Sequence, residues 1–239
     1  MLVVLACAGC DVVAGVDVAA RPCDVDTFAG APVALVDGAT SFSVSWDRDL
    51  LVYTEGAQVF EQALPDGEPQ PIDLGIYPVF ALALAPEADA LFYSAAIEPP
   101  QLTAALRAGP TAWTLDGGAP IGSFAGTPSS PEFGPRHVLV RLTSPGDVQE
   151  YEQDGDTWRA VGEVHPVDGG FAPNLSASGL DVVFESLDGV FVAHRDHVGE
   201  WFGEATAILP GEHHSPQLLD RCRELYVIDP SLVLNRYDR

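Results

Sequence analysis

From Phe28 onward the hydrophobic residues fall in short alternating runs of Val, Leu, Phe and Tyr, divided by Gly, Pro and Asp. Alternation with a period of two is the signature of strands, and no stretch keeps the 3.6-residue period of a helix for a useful length. The one helix-like segment is QLTAALR, Gln101 to Arg107, two turns bounded by Pro100 and Gly109, and it reads equally well as a strand. The pattern therefore predicts an all-β chain. Five runs, LLVYT, LFYS, VLVRL, VVFES and LYVI, carry large side chains at successive positions. Such strands must be covered on both faces.

The runs recur. Phe28 to Thr54 can be laid on Phe202 to Ile228 without a gap, matching Phe28 with Phe202, Leu35 with Leu209, Ser41 with Ser215, Val44 with Leu218 and Leu51 with Leu225. The same turn pattern returns in ALAPEADALFYS from Ala83, SPEFGPRHVLVRL from Ser130 and PNLSASGLDVVFES from Pro173. Counted at the strand after the turn, the registers are Leu51, Leu91, Val138, Val182 and Leu225, giving intervals of 40, 47, 44 and 43 residues. A period in the low forties with four short strands per unit is that of a β-propeller, whose blades stack radially because none can bury its faces alone. In the best-preserved unit the first strand ends near Ser176, a tight turn spans Ala177 to Leu180, and further strands follow at Val182–Glu185, Val190–His194 and Glu204–Leu209. Gly179 supplies the positive φ of the turn, and Asp47, Ser178 and Asp220 are placed to accept bonds from turn amides.

The phase of the repeat predicts how the ring closes. The chain ends after the third strand of its last unit, whereas the N-terminal copy begins with a fourth strand, Ala31 to Val36. Pairing that strand with the outer edge of the last unit gives a five-bladed propeller with no open sheet edge at the seam. A six-bladed ring or an open arc is the alternative. Cys23 precedes the N-terminal strand and Cys222 lies in the turn of the last unit, so a disulfide between them is a candidate staple for the seam in an oxidising compartment.

Three parts follow: residues 1–10, a 11–27 linker, and a propeller over 28–239. The opening MLVVLACAG is apolar and too short to span a bilayer, which takes about 20 apolar residues. Small residues Ala8 and Gly9 stand directly before Cys10. This resembles a bacterial lipobox, with Cys10 as the lipid-bearing residue and Cys7 as the second choice. The basic segment that ordinarily precedes such a stretch is missing, the first cation being Arg21, so the true start is expected upstream of Met1.

Charge narrows the partners. Eleven basic residues, all Arg, stand against 35 acidic ones, for a net charge of −24 and a pI near 4.2. Nucleic acid and anionic lipid surfaces both need clustered cations and are set aside, leaving a lipid anchor as the only membrane contact expected. A hydrophobic content of 47% is enough for a core despite the charge.

Catalytic signals are thin. No G-x-S-x-G, G-x-G-x-x-G, P-loop or H-E-x-x-H occurs; GSFAG at Gly122 puts Ser123 one residue too early. Most carboxylates stand in turns such as Asp66-Gly67, Asp154-Gly155-Asp156 and Asp188-Gly189. Glu212, His213 and His214 are the densest potential metal ligands, with His165, His194 and His197 elsewhere, but neighbours on a strand point to opposite faces. No metal or cofactor is expected. QDGDTW, Gln153 to Trp158, is similar to part of a calcium loop without its later Glu and reads as a β-turn. Trp113, Trp158 and Trp201 fall near fourth strands, where aromatics pack between blades, with sugar stacking as the second reading.

The stretch Ala172 to Ile208 resembles a repeat of the TolB-like, WD-type propellers of bacterial envelopes. Pro173, Leu175, Ser176, Gly179, Val183, Phe184, Ala193, Arg195, Phe202 and Gly203 fill the places of that repeat, while Ser178 replaces its usual Asp. The resemblance implies binding and scaffolding in the cell envelope rather than one chemistry. Two functions are therefore expected: a non-enzymatic, lipid-anchored monomer that binds an envelope protein or polysaccharide, or, alternatively, a secreted carbohydrate-active hydrolase with acids lining the channel.

Overall fold

The computed structural model describes residues 27–75, 78–85, 88–95, 101–110, 112–116, 124–125, 136–141, 147–155, 157–166, 172–219 and 222–239. They form twenty strands in five antiparallel sheets of four. Blade 1 holds β2 (Ala39–Val44), β3 (Leu50–Glu55), β4 (Gln58–Ala63) and β5 (Gln70–Ile72). Blade 2 holds β6 (Val79–Leu84), β7 (Ala90–Ala95), β8 (Gln101–Gly109) and β9 (Ala112–Asp116). Blade 3 holds β10 (Phe124–Ala125), β11 (His137–Arg141), β12 (Asp147–Asp154) and β13 (Thr157–Pro166). Blade 4 holds β14 (Asn174–Leu175), β15 (Asp181–Ser186), β16 (Gly189–His194) and β17 (Thr206–Pro210). Blade 5 joins β18 (His214–Leu219), β19 (Glu224–Ile228) and β20 (Val233–Asp238) to β1 (Val33–Asp37) from the other end of the chain.

The ring closes as the phase of the repeat requires: Val33 stands opposite Arg236 and Asp37 opposite Val233, antiparallel. Each residue used to count the repeat, Leu51, Leu91, Val138, Val182 and Leu225, is the second residue of a blade's second strand. All five are buried, as strands covered on both faces must be. The ambiguous Gln101–Arg107 segment is strand β8, paired with β7 and β9, so cross-strand packing decided what local propensity left open.

The turn before the second strand repeats with the same geometry. In three blades a carbonyl accepts the N–H of the third residue on: Ser45 from Arg48, Ala85 from Ala88, Ser176 from Gly179. A left-handed residue closes the turn in four blades, Arg48 (φ 64°), Ala88 (54°), Gly179 (71°) and Cys222 (66°). Only one of the four is Gly. The other three each carry a cost of about 1–2 kcal/mol that the surrounding sheet must outweigh.

Inner strands converge on the axis and are too splayed to share a ladder, so short polar side chains bridge them. Ser41 and Ser43 of β2 accept the N–H groups of Leu82 and Leu84 in β6 at 3.1 and 2.9 Å. Gln217 of β18 pairs its amide with both backbone groups of Val44 in β2, at 2.8 Å each, and Asn174 of β14 donates to the Pro216 carbonyl. These bonds satisfy buried groups that would otherwise cost about 1–3 kcal/mol each.

Candidate functional site: the joints between blades

One residue near or just past the end of each third strand occupies an equivalent place. Its N–H donates to the carbonyl just before the second strand of the same blade: Leu64 to Asp49, Arg107 to Asp89, Gln153 to Arg136, Arg195 to Leu180 and Arg239 to Arg223. Three of the five are Arg. Three residues earlier, where blades 1 and 3 lack the Arg, they carry Glu61 and Glu150. Arg107 and Arg195 can thus each reach back to the Glu of the blade before.

Between blades 1 and 2, Arg107 Nη2 lies 2.6 Å from Glu61 Oε1, and the Trp113 indole N–H donates to Glu61 Oε2 at 2.9 Å. Between blades 3 and 4, Arg195 grips Glu150 with both terminal nitrogens, at 2.6 and 2.8 Å. Its Nε donates to the Gly179 carbonyl, and a terminal nitrogen also donates to the Glu200 carbonyl. The guanidinium lies over the Phe202 ring, 4.5 Å from its centre, and His137 Nδ1 lies 2.8 Å from Glu150 Oε1. Burial pushes the Glu150 carboxyl up, but the hydrogen bonds and charges of Arg195 and His137 outweigh it and hold the group below its ordinary value. Five is odd, so the alternation breaks once: Val192 stands at the acid's place in blade 4, and the Arg239 guanidinium stands over Phe28.

Over the blade 3–4 joint opens a crevice of about 250 Å³, walled by Glu150, Gly162, Glu163, His165, Glu200 and Trp201, among others. Its outer wall is a bulge. Val148 pairs with His165 and Glu150 with Val161, so Gly162, Glu163 and Val164 together oppose Gln149. The Gln149 amide fills the gap, donating to the carbonyls of Val161 and Glu150. Bulges of this kind re-aim side chains. Here the bulge brings His165 flat against Trp201, with ring centres 3.7 Å apart and planes 12° apart.

Other candidate residues resolve as follows. Trp113 and Trp158 pack at joints, Trp158 edge-on to Phe92 of blade 2; Trp201 also reaches across a joint, onto His165 of blade 3, but 37% of it is exposed. His214 sits 3.8 Å from both Glu185 and Glu212, while His213 faces the Pro210 carbonyl, and among the described residues no three potential ligands converge on a metal. Burial lowers the His213 pKa. Ser176, Asp181 and His194 touch in sequence, but the acid stands in the middle: His194 Nδ1 meets Asp181 Oδ1 at 3.0 Å and Ser176 meets Asp181 Oδ2 at 3.3 Å. The hydroxyl has no imidazole beside it, and it accepts the Asp181 N–H as a turn clamp. No Asp or Glu occurs in the five first strands. Within QDGDTW, Gln153 and Asp154 end β12, Gly155 has φ 60°, and Thr157 and Trp158 open β13. Cys10 and Cys23 lie outside the described residues. Cys222 is buried in the seam cluster.

The chain matches no protein-family profile, and no curated protein is similar to it in sequence. Solved structures share its fold. The β-propeller domain of Cps50 (Swd1) from Myceliophteria thermophila aligns with TM-score 0.51 and 14% identity over 84% of this chain and 83% of its own. XC5397 from Xanthomonas campestris, a gluconolactonase, gives 0.52 and 14% over 91% and 97%. A putative TolB from Agrobacterium tumefaciens gives 0.51 and 13% over 80% and 69%. What this chain shares with all three is the propeller architecture itself.

Proposed function

We propose that this protein is a non-enzymatic propeller of the bacterial cell envelope, lipid-anchored through Cys10, that binds a protein or polysaccharide partner. The observation that carries the reading is where its carboxylates go. Among the described residues the three buried acids, Glu61, Glu150 and Asp181, each hold a cation, indole or imidazole that ties the fold together. The first strands, which wall the channel, bring no acid to it. The fold shared with TolB is compatible with an envelope address. The second reading, a carbohydrate-active hydrolase, is favoured by the fold shared with the gluconolactonase, and requires acids reaching the channel from loops.

Affinity capture from solubilised envelope, using the full chain, tests the proposal. A specific protein or glycan should be retained, Cys10→Ser should release the chain from the membrane fraction, and peptide mapping without reductant should join Cys23 to Cys222. Turnover of lactones or glycosides by the purified protein, with no partner captured, favours the hydrolase instead.

A further inference from the structure

At each Arg-bearing joint one aromatic ring already takes the guanidinium: Trp113 for Arg107, Phe202 for Arg195 and Phe28 for Arg239. Trp201 is therefore not needed by the guanidinium. It is nevertheless held in place, by the stack on His165 and by an edge contact with Phe202. The crevice beside it is kept open by backbone as well as side chains. Gly162 (φ 68°) and Gly199 (φ 92°) face each other, and a Cβ on the first would come within 3.7 Å of the Gly199 carbonyl. Both adopt a left-handed conformation that other side chains resist. Glu163 and Glu200 stand exposed at the rim, and among the described residues His165 is the only group in the lining that could carry positive charge.

We infer that the crevice between blades 3 and 4 binds one ring of a neutral or amino-bearing glycan, packed against Trp201 and hydrogen-bonded to Glu163 and Glu200. This rests on the binding function proposed above and selects the polysaccharide class. A pyranose offers an apolar C–H face to an aromatic ring and hydroxyl donors to carboxylates, which only accept. An amino group adds charge pairing and attraction to the indole face. A uronate or sulfated sugar would meet two carboxylates and the field of a −24 chain with no Arg exposed to receive it in the crevice. The volume, about 250 Å³, suits a single sugar ring rather than a ligand of drug size, whose pockets run to about 300–1,000 Å³.

Calorimetric titration of the full chain with cello-oligosaccharides, chitosan oligomers and oligogalacturonates tests this. The first two should bind, chitosan more tightly, and the third should not. Trp201→Ala should weaken binding by about tenfold or more, equivalent to about 1.4 kcal/mol, while Trp201→Phe, which keeps a ring, recovers part of it. Glu163→Gln should erase the preference for chitosan over the neutral chains. Leu187→Ser, at the 85% exposed tip of the β15–β16 hairpin, should change nothing. Binding unaltered in Trp201→Ala, or preference for the oligogalacturonates, overturns the inference. Failure of all three glycans also overturns it, but leaves the wider binding function standing if an envelope protein is still captured. Loss of glycan and protein capture together removes both.

Discussion

The joint between blades 1 and 2 and the joint between blades 3 and 4 both set an Arg against a Glu of the preceding blade, yet one is sealed and the other is not. At the first, Trp113 does two jobs, lying near the guanidinium and donating its N–H to Glu61. At the second, those jobs are divided: Phe202 takes the guanidinium, His137 approaches the acid from inside, and Trp201 is left at the surface. Burial differs in the opposite sense. The Arg195 side chain is 0% exposed and Arg107 is 27% exposed. The deeper ion pair thus lies under the more open rim. A charge pair locked by several hydrogen bonds can support a cavity above it, whereas the half-exposed pair needs the indole as its lid.

That contrast can be broken by removing each cation. Arg195→Met should cost about 3–5 kcal/mol, because Glu150 is left charged and buried with only His137 beside it. Arg107→Met should cost about 1–2 kcal/mol, since the Arg107 side chain is itself part-exposed, so water can enter the place it vacates, and Trp113 still donates to Glu61. Urea unfolding of both variants measures the difference, and equal losses would show that the two joints are energetically alike.

A smaller effect comes from pH. The Glu150 carboxyl is held below its ordinary value in the folded protein, so its contribution is fully present above the unfolded value of about 4.3 and is lost as pH falls through the lower folded value. Stability of the native chain should therefore drop through that window, and Glu150→Gln, less stable throughout, should show a shallower drop. Parallel curves for the two proteins would remove Glu150 from the acid limb.

Much of the architecture was legible because propeller packing is written locally. Strands buried on both faces need runs such as LLVYT and LYVI, and these recur at a spacing that only a ring of blades explains. The seam was legible for a similar reason, since a leading fourth strand and a missing last one complement each other. The turns were read only in part: Gly179 announces its left-handed conformation, but Arg48, Ala88 and Cys222 adopt the same one without any residue that favours it. The joints were hidden. Glu61 and Arg107, or Glu150 and Arg195, lie on different blades, and each pair emerges only when the third strands are superposed and the Arg and Glu places are seen to alternate. Trp201 looked like Trp113 and Trp158 by position, and what separates it is the bulge opposite Gln149, an irregularity of two extra residues in β13 that no periodic pattern records.

Hydroxyl-radical footprinting of the native chain, read at each tryptophan by mass spectrometry, tests the contrast between the joints most directly. Trp201 should be modified fastest, with Trp113 and Trp158 protected, and saturating chitosan oligomers should slow Trp201 alone. Modification of Trp113 at the same rate as Trp201 would contradict the account of one sealed joint and one open one.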